Sequence, residues 1–375
     1  MTPADIPAEA GNRFRRIAVF GVGLIGGSLG LALKKLDPTI DILGVDDPKV
    51  LDLARKRGVI DRGLELGQIE GGLAEIDLVI LSTPVSAIPE LLELVGKEVR
   101  SGTVITDTGS TKARIMESAK LLPPEVSFIG GHPMAGSERR GLEAADPFLF
   151  ENAVYVLCQA ESVPDDTFKS LAALMVGIGA RVKPLDAGLH DRIAAYTSHL
   201  PQLVALSLVN ILGRSENDSG DYFALAAGGF RGLTRIADSP ADIWADICRT
   251  NSEFITEVVH EFKEELDRIA ANLLRPELAD DFGRARDYRR RLPKDTRGFL
   301  NPLYDLMVEV TDRPGILSTI TTSLYDKGLN IKDIEVLKIR EGTSGVLRLG
   351  FEDQRTRQEG ETILSSLGYR CWSQE

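Results

Sequence analysis

An α/β fold class follows from three features of this 375-residue sequence. A glycine-rich loop, Gly21-Val-Gly-Leu-Ile-Gly-Gly27, joins a short apolar run to a helical segment, and further apolar runs alternate with helices to about residue 157. From Ala187 the periodicity is purely helical, and from Leu303 strand-like alternation returns. Alternating strands and helices demand a mostly parallel sheet covered on both faces. The sequence therefore predicts a Rossmann-type sheet over residues 13–184, an all-helical dimerisation domain over 185–292 and a ferredoxin-like βαββαβ unit over 302–375.

Apolar runs place strands at 16–20, 40–45, 78–82, 104–107, 127–130 and 154–157, with helices at 28–35, 50–57, 88–95 and 112–119. Helical spacing covers 188–212 and 241–274. In the latter Ile243, Ile247, Phe254, Val258, Phe262, Leu266 and Ile269 fall near one face, a stripe that suits pairing of two subunits. Charge and proline over 275–301 read as a helix end and a linker. Strands at 303–310, 331–339, 345–351 and 369–372 then alternate with helices at 316–327 and 356–367.

Composition narrows the function. With 43% hydrophobic and 27% charged residues the chain has the make-up of a soluble enzyme, and no apolar run approaches the length of a membrane span. The first sixteen residues lack the apolar centre of a signal peptide, so a cytoplasmic location is expected. A net charge of -12 argues against nucleic acid and anionic membranes as partners. Cys158, Cys248 and Cys371 lie far apart without metal-ligand spacing, and no metal site is expected.

Gly21, Gly23 and Gly26 form GxGxxG between a strand and a helix, with Leu24 and Ile25 inside the motif. The first glycine permits a tight turn, the second lets a pyrophosphate approach the backbone, and the third allows close helix packing. Asp46 ends the second strand about twenty residues later, where a carboxylate can bind both ribose hydroxyls and would repel a 2′-phosphate. NAD is therefore expected over NADP, with Lys49 the one nearby cation against it. Thr83 and Pro84 follow the strand at 78–82, and Ser110 follows the strand at 104–107. Loops at carboxyl ends of strands line the ligand crevice of such sheets, although Ser110 could equally cap the helix after it.

His132 lies in Gly130-Gly-His-Pro-Met-Ala-Gly-Ser-Glu138, read as a cramped turn that holds one imidazole close to the nicotinamide end. A neutral imidazole near pH 7 can take a proton from a hydroxyl. The alternative is a turn histidine satisfied by backbone hydrogen bonds.

Several motifs together resemble one family. Gly21-Val-Gly-Leu-Ile-Gly-Gly-Ser28, Asp107-Thr-Gly-Ser-Thr-Lys112, Gly131-His-Pro-Met-Ala-Gly-Ser-Glu138, Ser198-His-Leu-Pro201, and Thr234-Arg-Ile-Ala237 followed by Trp244 are similar to prephenate and arogenate dehydrogenases over nearly the whole chain. The resemblance implies NAD-dependent oxidative decarboxylation of prephenate in L-tyrosine biosynthesis. It implies that His132 hydrogen-bonds the ring hydroxyl, Ser110 helps to position it and Arg235 binds a substrate carboxylate, with Glu138 and Trp244 near the pocket. A guanidinium fork suits a carboxylate, although Arg231 and Arg235 could simply line a solvated helix. Ser198, His199 and Gln202 are further pocket candidates, while His190-Asp191 reads as a helix-positioning network.

Two departures bear on the substrate. Gly232 stands where many members carry an acid, and Gln202 where some prephenate-preferring relatives carry a second histidine, which leaves arogenate open. The unit from Leu303 resembles ACT regulatory domains, with Asp312-Arg-Pro-Gly315 and Gly328-Leu-Asn330 as its turns. That resemblance implies L-tyrosine as effector near Gly315 and Asn330, against a purely structural pairing module. Two other readings remain: a 3-hydroxyacid-type dehydrogenase, which would use a lysine on the helical domain, and a non-catalytic sensor of NAD and an amino acid.

Overall fold

The computed structural model describes residues 13–136, 139–216, 220–292, 303–311, 313–340 and 344–373. The chain divides into two compact units, Met1–Leu278 and Ala279–Glu375.

The first unit opens as an eight-stranded sheet. In chain order its elements are β1 (Arg16–Phe20), α1 (Leu24–Leu36), β2 (Asp41–Val45), α2 (Pro48–Lys56), β3 (Arg62–Leu64), β4 (Leu78–Leu81), α3 (Ile88–Glu98), β5 (Val104–Asp107), α4 (Ala113–Ala119), β6 (Ser127–Pro133), β7 (Val154–Gln159), α5 (Asp165–Gly177) and β8 (Arg181–Pro184). Strand order is β3-β2-β1-β4-β5-β6-β7-β8, with only the β6–β7 pair antiparallel. The period of two sends Ile17 and Val19 to a core shared with α1 and α5, and Ala18 and Phe20 to the core under α3 and α4. Each fully buried Ile, Val or Phe side chain among these contributes roughly 1.5–3 kcal/mol. Strand order reverses between β1 and β4, which opens the ligand crevice at their carboxyl ends.

Helices follow: α6 (Ala187–Ala194), a π-helical turn (Ala195–His199), α7 (Leu200–Ser215), α8 (Asp221–Ala224), α9 (Gly228–Thr234), α10 (Ala241–Thr250) and α11 (Ser252–Ala271). Among the described residues no helix is long and apolar enough to cross a membrane.

Several expectations need correction. β3, β8 and α5 were not foreseen, because β3 and β8 are short edge-side strands with mixed polarity. His132 lies within β6, since the ladder to β7 runs on through His132 and Pro133, so it sits on a strand and not in a turn. The long segment 241–274 breaks at Asn251, whose φ of -125° is not helical. Its apolar stripe divides as well: Ile247 and Val258 are buried within the chain, whereas Ile243 and Leu266 stay exposed. The helix end expected in 275–301 is a full helix, α12 (Glu277–Arg291), with arginines at its carboxyl end where they complement the helix dipole, and the rest of the expected linker, 293–301, lies outside the described residues.

The second unit carries β9 (Tyr304–Val310), α13 (Ile316–Tyr325), β10 (Asp333–Arg340), β11 (Ser344–Phe351), α14 (Gln354–Ser366) and β12 (Arg370–Trp372). Its antiparallel sheet has the order β10-β11-β9-β12, the ferredoxin-like arrangement expected. Leu306, Val308, Leu347, Leu349 and Phe351 meet Ile320, Leu324 and Leu364 of the two helices in one core. On the sheet, the Arg348 guanidinium bonds Asp305, Asp333 and Glu335 at 2.9, 2.5 and 3.0 Å. Gly315 is left-handed, φ 85°, at the start of α13, and Asn330 is exposed ahead of β10.

Candidate active site

The cofactor loop is set by close packing. Gly21 has φ 82°, and a Cβ there would stand 2.4 Å from the Ser82 carbonyl oxygen; one on Gly26 would stand 2.0 Å from the Gly21 carbonyl oxygen. At Gly23, by contrast, a Cβ would meet nothing within 4 Å, so the backbone there is open to an approaching group. Asp46 Oδ2 accepts the Val22 N–H at 2.6 Å, fixing the end of β2 to the loop.

Two cavities of about 560 Å³ each share this loop. One is lined by Gly21, Gly23, Asp46, Asp47 and Glu65, an acidic ribose end; the other by Gly23, Leu24, Ile25, Ser110 and His132. Ser82, Thr83 and Pro84 line both. Thr83 Oγ1 is buried without a hydrogen-bond partner, a polar atom placed where a dinucleotide would pass. The donor set, the open glycine and this hydroxyl fit NAD, and three carboxylates around the ribose end oppose a 2′-phosphate.

His132 does not stand alone. Its Nδ1 lies 2.8 Å from His190 Nε2, the rings meeting edge to face with centroids 5.0 Å apart, and His190 Nδ1 lies 2.8 Å from Asp191 Oδ1. A carboxylate can only accept, so His190 carries a proton on Nδ1, and when that ring is neutral its Nε2 accepts from His132 Nδ1–H. That fixes the His132 tautomer and leaves its Nε2 lone pair free. Burial, together with the neighbouring His190 and Lys112, holds the His132 pKa well below the usual 6.5. The ring is neutral at physiological pH, the state a base requires.

The anchor of this chain also caps a helix. Asp191 accepts Lys112 N–H at 2.7 Å and Ala113 N–H at 2.8 Å, two of the donors that α4 leaves open at its start. Ser110, on the loop before α4, is therefore not its cap and faces the cavity instead. A second buried carboxylate ties the loop of Ser110 to strand β6. Asp107 accepts Gly109 N–H at 2.8 Å and Gly131 N–H at 3.0 Å, each one residue from Ser110 and His132, and pairs with the Lys112 ammonium, both side chains fully buried.

The π-helical turn adds a residue to the line of α6 and α7, a device common at functional sites. It carries Ser198 and buries His199 edge-on to Trp244, 5.9 Å between centroids, with Asn251 Nδ2 at 3.2 Å from His199 Nδ1. The same Asn251 amide donates to the Asp191 carbonyl at 2.8 Å. Burial pushes the His199 pKa down to about 4. The unfolded chain takes up this proton near pH 6.5 while the folded chain refuses it until about pH 4. Stability is thus full above 6.5 and falls as pH drops towards 4, by on the order of 3 kcal/mol. Urea unfolding at stepped pH should show a shallower acid decline in His199→Asn than in the parent; equal declines would contradict the assignment.

Other expected residues lie elsewhere. Gln202 is buried and donates to the Ile236 carbonyl at 2.9 Å, bracing the segment that holds Arg235. Arg235 itself is exposed on a 3-10 turn (Arg235–Asp238) and is not among the residues lining the His132 cavity. Glu138 lies outside the described residues. Sequence reasoning missed His190 and Asp191 as partners of His132, because the 58-residue separation leaves no local signal.

Comparisons with known proteins agree with this geometry. Family models match as "Prephenate dehydrogenase, nucleotide-binding domain" at residues 29–184, "Prephenate dehydrogenase, dimerization domain" at 186–285 and "ACT domain" at 304–363. Prephenate dehydrogenase of Bacillus subtilis (strain 168) is 37% identical, the match covering 93% of this chain and 95% of the relative. Among solved structures, prephenate dehydrogenase from A. aeolicus in complex with hydroxyphenyl propionate and NAD+ superposes with a TM-score of 0.70 and 28% identity, over 74% of this chain and 98% of that one. Synechocystis arogenate dehydrogenase gives 0.65 and 27%, over 74% and 99%. With the glycine loop, the acidic ribose end and the histidine chain in place, this protein belongs to the prephenate dehydrogenase family and carries an ACT domain after the dimerization domain in sequence.

Proposed function

We propose that the chain catalyses NAD-dependent oxidative decarboxylation of prephenate to 4-hydroxyphenylpyruvate in L-tyrosine biosynthesis. The observation that carries this reading is the His132–His190–Asp191 chain, which presents one unprotonated imidazole nitrogen to the cavity that also holds the cofactor loop. His132 Nε2 takes the proton of the ring hydroxyl, and Asp191 stabilises the charge that then develops across the two imidazoles. Ser110 orients the hydroxyl. NAD, when bound, supplies the hydride acceptor. Loss of carbon dioxide from the opposite ring carbon makes the ring aromatic, so the protein has only to align the reactants and receive one proton. Arg235 would bind a carboxylate at the substrate's far end, with Glu138, Ser198, His199 and Trp244 near the pocket.

The division of labour we assign is cofactor binding to residues 13–184, substrate binding and pairing to 185–292 and regulation to 302–375. Leu206, Ile211, Phe223, Leu225 and Leu233 expose apolar surface on the helical part, which supports a homodimer. L-tyrosine near Gly315 and Asn330 would act only by preferring a less active state. Arogenate is the second reading, left open by Gln202 standing where some prephenate-preferring relatives carry a second histidine.

One assay tests substrate, cofactor and regulation together. NADH formation with prephenate, NAD and the purified protein is expected, with slower turnover when tyrosine is added. Preference for arogenate or NADP would move the assignment, and no NADH with either substrate would end it.

A further inference from the structure

We infer that α10 is a hinged latch over the nicotinamide end of the cavity, held shut by three contacts from one stripe of the helix. Asp242, Asp246 and Thr250 follow one another at intervals of four, so their side chains share a face. Each reaches a different loop of the nucleotide-binding sheet. Asp242 takes a forked pair of bonds from Arg140, beyond β6, at 2.6 and 3.2 Å; Asp246 Oδ2 accepts from Ser86 Oγ, beyond β4, at 2.6 Å; Thr250 Oγ1 accepts from Thr111, beyond β5, at 2.9 Å. Between them Ile243 and Ile247 face the cavity that Gly23, Thr83, Ser110 and His132 line from below.

The two ends of α10 differ. At the carboxyl end Asn251 is 4% exposed, breaks the helix and is bonded to the Asp191 carbonyl. Along the stripe the acid side chains loosen, Asp246 being 17% and Asp242 71% exposed. That gradient fits a pivot at the buried Asn251 and a releasable tip at the exposed Asp242, just after Pro240. An exposed ion pair is weak and screened by salt, so the tip bond can break and reform in every cycle. The latch slows departure of the reduced cofactor while the fixed end keeps Asp191 and the histidine chain in place.

The inference rests on cofactor binding in this cleft and not on which substrate is oxidised. Stopped-flow release of NADH from the full chain, with no substrate present, tests it. Release from Asp242→Asn is expected to be about two- to fivefold faster than from the parent at low salt. High salt should speed the parent and leave Asp242→Asn unchanged. The exchanged pair Arg140→Asp with Asp242→Arg should return release towards the parental rate, which a local effect of either residue would not do. Unchanged release in Asp242→Asn, or no recovery in the exchanged pair, overturns the latch alone. Failure of the parent to bind NADH would remove both the latch and the functional reading.

Discussion

His132→Asn is expected to lower kcat by about 10²- to 10⁴-fold while the affinity for NAD stays at its parental value. The asparagine amide can keep a hydrogen bond to His190 Nε2, in the place of His132 Nδ1–H, but it cannot accept a proton at the cavity side. Steady-state NADH formation and direct titration of NAD separate the two quantities. Parental turnover in this variant would refute the role given to the imidazole. The parent's pH profile offers an independent check. Because burial and the neighbouring His190 and Lys112 depress the His132 pKa, its neutral form persists below pH 6.5. The acidic limb of kcat/KM should therefore have its midpoint below 6.5 and drop towards lower pH; a midpoint above 6.5 would contradict this environment.

Asp191→Ala should be nearly as damaging to turnover, by about 10³-fold, although the residue never touches substrate. Without the carboxylate, His190 loses the partner that fixes its tautomer, and the positive charge formed on proton transfer has no counter-ion. The same change strips Lys112 and Ala113 of their acceptor at the start of α4, costing about 1–3 kcal/mol of stability. Asp191→Asn separates the two effects. Its single amide oxygen can still serve His190 and Lys112 from the Oδ1 side, whereas its amide nitrogen would face the Ala113 N–H, so the charge and one capping bond are lost while the bond to His190 is kept. An intermediate kcat with near-parental NAD binding is expected, and a kcat equal to that of the parent would show that the charge contributes nothing. Both measurements belong at a pH where His132 is neutral, so that the loss reports the reaction and not the ground-state titration.

Much of the fold was legible. The strand at 78–81 is a fully apolar, fully buried run, those at 16–20 and 104–107 carry apolar stretches beside Arg16 and beside Thr106 and Asp107, and the GxGxxG loop fell where a strand ends and a helix begins. The edge-side strands β3 and β8 were not legible, since RGL and RVKP carry no run of hydrophobic residues and pair only because a neighbour offers an open edge. The helical stripe at 241–274 was visible as periodicity, but its interruption at Asn251 depends on bonds that this side chain makes to Asp191 and His199, sixty and fifty-two positions away.

Residue types and short-range spacing thus determined the class of fold, the dinucleotide loop and the carboxylate that disfavours a 2′-phosphate, and they singled out His132 as a candidate, because each stands in a short motif at or near a strand end. Tertiary structure alone decided which nitrogen of His132 is free, why Asp191 matters, and that α10 bridges to three separate loops. Those depend on groups brought within 3 Å from opposite ends of the unit, and hydrogen bonding over such distances has no period or composition for a linear sequence to display.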